Sequence, residues 1–172
     1  MSAVAPSVPR AAAARVEAQA LAAAACAVAF LAVTLVVRAW TETGPGSWWA
    51  AQETSSWTPV GAATGALSLV PYPCFALATW LVVRRGLRRP GVPGALVAQV
   101  AQVVVLLVWV RLLFVDERPD AAVAGMLVWI VAVVLAGVGM FRVHPVAGVL
   151  VVPALVWIAA MVSVTAGILV LR

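Results

Sequence analysis

The chain reads as an all-α integral membrane protein, a five-transmembrane-helix bundle with a long Trp-rich first loop. Its composition says so first. Hydrophobic residues make up 65% of the 172 and charged residues 10%, against about 45–50% and 25% in a soluble domain. The mean hydropathy is +1.11. Second, five stretches supply the ~20 apolar residues that a helix needs to cross a bilayer. Third, these stretches are too long and too uniformly apolar for barrel strands, which run about 9–11 residues and alternate polar with apolar. In lipid that leaves helices, which satisfy their backbone groups internally. The same composition excludes disorder, a soluble α/β enzyme and a disulfide-rich secreted module.

The first span covers residues 18–37, behind Arg10 and Arg15. Its apolar run exceeds the roughly 7–15 residues of a cleavable signal core, so it reads as a helix, with residues 1–15 a flexible N-terminus. The other spans cover residues 60–83, 93–115, 121–141 and 146–171, and the whole chain, 1–172, forms a single membrane domain. RRGLRRP, DERPD and RVHP are the short connections. The first loop, Arg38 to Pro59, is far longer and carries Trp40, Trp48, Trp49 and Trp57, four of the eight tryptophans. A long loop in a compact protein is usually functional or disordered, and disordered segments are poor in aromatics. This loop is expected to fold over one end of the bundle.

All eleven basic residues are Arg, and neither Lys nor Asn occurs. Their AT-rich codons point to a GC-rich bacterial genome. The pI near 11.0 is read as a topological signal, with no nucleic-acid partner implied. Arg10, Arg15, Arg84, Arg85, Arg88, Arg89 and Arg142 share one face of a five-span chain. Arg38, Arg111, Arg118 and Arg172 share the other with most of the acids. The positive-inside rule then gives a multi-pass protein of the bacterial cell membrane, N-terminus cytoplasmic, first loop and C-terminus outside. The cluster at 84–89 also suits anionic lipid, although orientation alone explains it.

Spans two to five contain no Asp, Glu or Lys, and Arg111 sits near a span end where it can snorkel. Proton relays and ion pumps usually keep such groups inside. No Walker loop, HExxH or GxSxG occurs. The lone His144, beside Pro145, is expected to be a solvated loop residue, and Cys26 and Cys74 lack a CxxC partner and read as inert packing. Neither an enzyme nor a metal site is indicated, and no cofactor is required.

What remains is aromatic. Trp40 and Trp80 each lie near a flanking Arg and fit the interfacial belt. Trp157 lies eleven residues into the fifth span, where an indole N–H seeks a polar partner or a cavity. Trp109 follows Gln102 by seven residues, two turns along the same helix face. Gln102 is either inter-helix glue or a pocket wall. Gly61 with Gly65, and Gly94 with Ala98, have the spacing that lets helices approach closely, and either pair offers a homodimer seam.

These features, in this order, resemble the TspO/MBR family of tryptophan-rich sensory proteins, related to the mitochondrial translocator (peripheral benzodiazepine receptor) protein. Trp48-Trp49-Ala50-Ala51 and Ser56-Trp57-Thr58-Pro59 look like the family's WY…PxWxPP segment. Gln102, Trp109 and Leu113-Phe114 look like its QLxLNxxWSxLFF helix. Phe141-Arg142-Val143 and then Val152-Pro153-Ala154-Leu155-Val156-Trp157 look like FxR…LLLPYLxWVxFA. The chain departs from the pattern at Ser68, where the family's second-helix Trp would stand, and at Leu106 (Asn), Ala154 (Tyr) and Thr165 (Asn).

The resemblance implies a divergent member that binds porphyrins or other flat hydrophobic ligands between the helices beneath the first loop. The implied lining residues are Trp49, Trp57, Pro59, Gln102, Trp109 and Trp157. It implies a sensory or binding role in tetrapyrrole transport or regulation, with the lipid bilayer and a porphyrin as partners and a homodimer as the assembly. The family's porphyrin breakdown is the weaker implication, since Ser68 replaces one of the pocket tryptophans. The rival reading is a structural or scaffold membrane protein whose ligand pocket has decayed, which the lost Asn, Tyr and Trp favour.

Overall fold

The computed structural model describes residues 8–52 and 68–171, and among these residues no strand occurs. Helix α1 runs Val8–Trp40. Its 33 residues span about 50 Å at the α-helical rise, well beyond the ~30 Å hydrocarbon core. The helix therefore starts well before the span read from sequence, and residues 8–15 belong to it instead of to a flexible N-terminus. The run of alanines from Ala11 to Ala14 explains the extension, since Ala has the highest helix propensity. Pro9 falls in the first turn, where its missing N–H costs nothing. At the other end the Thr41 N–H donates to the Val37 carbonyl (2.9 Å).

Helix α2 is Pro71–Val83. Residues 60–67 of the second expected span, with Gly61 and Gly65, lie outside the described residues, as do residues 1–7. Helix α3, Val92–Val110, continues into a π turn, Arg111–Val115, and α4 is Pro119–Val143. The fifth expected span is divided into α5, Pro145–Val149, and α6, Val152–Leu171. The division comes just before Pro153. Proline cannot donate to the carbonyl four residues back and its ring clashes with it, so the chain tightens there: Val151 and Ala154 N–H groups reach only three residues back, to Gly148 (3.2 Å) and Val151 (3.1 Å).

Among the described residues four stretches are long and apolar enough to cross a membrane: Ala12–Trp40, Val92–Val115, Pro119–Val143 and Pro145–Val170. Pro71–Val83 is a shorter apolar helix. Helix α1 lies along α2, α2 touches α6, α6 packs on α4, α4 on α3, and α3 returns to α1. The pair α3–α4 has the most extensive contact. There a Cβ on Gly139 would lie 3.4 Å from the Ala95 Cα, the backbone approach that small residues permit. Phe75, Val82, Val110, Leu113, Met126, Val133, Met140 and Ile158 fill the interior. Outward faces are as apolar as the core: Val97, Val100, Val104 and Val108 on α3, and Leu127, Val131, Leu135 and Val138 on α4, are all exposed. Apolar surface on that scale is what a bilayer covers.

Candidate functional site

The site begins where α3 ends. In the π turn the Asp116 N–H donates to the Arg111 carbonyl five residues back (2.9 Å), and the Arg118 N–H reaches Leu112 (2.8 Å). Glu117 at φ +53° closes the turn in the left-handed region. One extra residue in the turn shifts the side-chain register, a device common at functional sites. Leu113 is buried, while Phe114 meets rings on both sides.

Above Phe114 is Trp49, in a short 3-10 turn, Trp49–Ala51, held by bonds from the Ala51 N–H to the Ser47 and Trp48 carbonyls (both 3.2 Å). The Trp49 and Phe114 centroids are 5.1 Å apart, and Trp48 is 6.4 Å from Trp49. Below, Phe114 meets Trp109 edge to face at 6.3 Å. Trp109 stacks on Trp129 of α4 at 5.5 Å and 20°. A ladder of five aromatic rings thus descends from the loop into the bundle, and its geometry is that of attractive aromatic pairs. At its foot the Trp129 indole N–H donates to the Gln102 Oε1 (3.1 Å).

Around that foot polar atoms outnumber their partners. Gln102 is fully buried, and Gln99, one turn earlier on α3, and Trp109 are 3% and 4% exposed. Among the described residues the Gln102 Nε2, the Trp109 Nε1 and both amide atoms of Gln99 meet no hydrogen-bond partner. Burying such groups unpaired is costly, and natural proteins rarely do it without a functional reason or a water. The arrangement sets unpaired amide and indole donors beside indole faces that meet one another.

Of the residues expected from sequence, Trp49, Gln102 and Trp109 come together in this one column. Trp157 comes from a different wall. Counting from the contact between Gly137 and Val151, and from that between Gly139 and Ala95, sets Trp157 level with Val131 and Val103, hence at the depth of Gln102. It is half-buried against the core, with no ring contact to the ladder among the described residues. Trp57 and Pro59 lie outside the described residues. An apolar cavity of about 530 Å³ between α1 and α2 is lined by none of the four that are described.

Sequence reasoning missed Gln99 and Trp129. Gln99 had a signal, three residues before Gln102 and so on the same helix face. Trp129 had none, because its partner is on another helix. His144 differs from its expected role as a solvated loop residue: it is half-buried, its carbonyl receives the Ala147 N–H (2.9 Å), and its Nδ1 is buried. The departures from the family pattern are self-contained: Leu106 and Ala154 are buried apolar residues, and the Thr165 hydroxyl donates to the Met161 carbonyl of its own helix (2.8 Å).

The model of the TspO/MBR family matches residues 20–171 of the chain. A search of curated proteins found no match.

Proposed function

The chain belongs to the TspO/MBR family, and on that basis we propose that it is a non-catalytic membrane protein that binds a porphyrin or another flat hydrophobic ligand, acting in tetrapyrrole transport or regulation. The observation that carries this reading is the set of buried, unpartnered polar atoms on Gln99, Gln102 and Trp109 beside stacked indoles. A ligand seated there would stack on Trp109 and Trp49 and accept from the unpaired amide and indole donors, with Trp157 opposite; Trp57 and Pro59 complete the proposed lining set on the strength of the family resemblance alone. Sites of this kind are mostly apolar, with a few well-placed polar groups.

The wider arrangement is part of the same proposal: one membrane domain of five spans in a bacterial cell membrane, N-terminus cytoplasmic, first loop and C-terminus outside. So is a homodimer through the start of α3, where Gly94 is exposed and an added Cβ would meet nothing within 4 Å. The test of function is a titration of detergent-purified protein with protoporphyrin IX, followed by tryptophan quenching. Saturable quenching is expected; a purely linear, partition-like response would contradict it.

A scaffold role has its own supporting observation. The bond from Trp129 to Gln102 and the Trp109–Trp129 stack join α3 to α4 with the protein's own side chains, as inter-helix glue does. That reading predicts no saturable porphyrin binding.

A further inference from the structure

The apolar cavity between α1 and α2 lies outside the aromatic column, and its surroundings specify a different occupant. It is a groove walled by Ala23, Ala27, Phe30 and Thr34 on α1 and by Tyr72, Ala76 and Trp80 on α2. Of its lining residues Phe30 and Tyr72 are buried, the alanines are small, and Leu31 and Leu77 are exposed on the outer face of the bundle. From Ala23 to Thr34 it runs about 17 Å along α1 at the helical rise, a length suited to a lipid chain.

One end of the groove is closed and charged. The Trp80 Nε1 donates to the Gln19 carbonyl (3.3 Å), pinning α2 to α1. The Arg84 guanidinium carbon lies 4.9 Å from the centre of the Trp80 ring. The two helices are antiparallel, so Arg15, one turn before Gln19, is level with Arg84, one turn after Trp80. Both arginines are exposed. Glu17 lies two residues from Arg15, a spacing that does not share a helix face. Arg85, Arg88 and Arg89 follow in the adjoining loop, also exposed. The carboxylate–arginine pairs among the described residues are Arg111 with Asp116 and Arg118 with Asp120, around the turn that joins α3 to α4.

We propose that this groove is a site for an anionic phospholipid, with one acyl chain along α1 and α2 and the phosphate between Arg15 and Arg84. Each half of the site selects a different half of the ligand. A free phosphate would leave the groove unfilled, and a zwitterionic lipid would bring its own cation to the arginines. Basic residues at a helix–helix groove are a known way of holding anionic headgroups. Trp80 is the hinge between the halves, since its ring lines the groove and carries the arginine.

Brominated acyl chains quench nearby indoles and read this directly. Protein in phosphatidylcholine nanodiscs would receive increasing fractions of brominated phosphatidylglycerol or brominated phosphatidylcholine. The difference between the parent and Trp80→Phe isolates the Trp80 signal. That signal should reach half-quenching at about thirtyfold less phosphatidylglycerol than phosphatidylcholine, about fivefold from each of the two arginines near a headgroup. Arg15→Gln with Arg84→Gln should abolish the preference, and Arg118→Gln, in the turn between α3 and α4, should keep it. Ala27→Phe, which fills the groove and leaves the arginines, should also abolish it. Equal curves for the two lipids, or a preference that survives either the double arginine substitution or Ala27→Phe, would overturn the site.

Discussion

Gln99 and Gln102 are the same residue type, one turn apart on one helix and buried alike, yet only Gln102 has one of its amide atoms paired among the described residues. Gln102 receives the Trp129 N–H, so Gln102→Leu strands a buried donor, a cost of about 1–3 kcal/mol or nearer 0.6 by the transmembrane average. Neither amide atom of Gln99 has a partner among the described residues, so Gln99→Leu removes a buried liability. The ligand-free melting temperature in detergent should fall for Gln102→Leu and hold or rise for Gln99→Leu. Porphyrin binding should weaken in both if the amides face a ligand. Equal destabilisation by the two substitutions would contradict this account. The sequence carried half of it: Gln102 and Trp109 stand out because polar and indole groups are conspicuous in an apolar run. What decides the role of each glutamine is a partner on α4, and pairing across helices leaves no mark on local spacing.

At the scale of elements, apolar length marks where helices are but not where they begin or bend. Charge and a polar lead suggested an end near residue 18, whereas alanine propensity carries α1 back to Val8. The last expected span is broken just before Pro153, into α5 and α6, a division that apolar length does not reveal. That corner depends on Gly148. A Cβ there would lie 2.5 Å from the Phe141 Cβ and 2.8 Å from its Cα, too close for the backbone of α4 to tolerate. Gly148→Ala should therefore destabilise by about 1–3 kcal/mol, as overpacking does. Gly44→Ala, where nothing lies within 4 Å, should be near neutral. A Gly148→Ala melt matching the parent would mean that the corner is looser than described.

At the scale of the molecule, orientation and assembly follow from charge and from small residues. With Cys26 and Cys74 replaced, a cysteine at Ser47 should react with an impermeant reagent on intact cells, and one at Gly86 only after lysis; the reverse would invert the topology. Gly94→Leu should separate cross-linked protomers, and an unchanged pattern would reject that seam. The central claim is that a flat ligand binds in the aromatic column, and two single substitutions test it most directly. Trp109 lies in the column and Trp80 in the α1–α2 groove. Protoporphyrin IX titration of the two variants should show Trp109→Leu weakened by about 1–3 kcal/mol, by analogy with loss of a base-stacking aromatic, or about five- to hundredfold in Kd. Trp80→Leu should bind like the parent. Weakening by Trp80→Leu with Trp109→Leu unaffected, or equal effects from both, would contradict the claim.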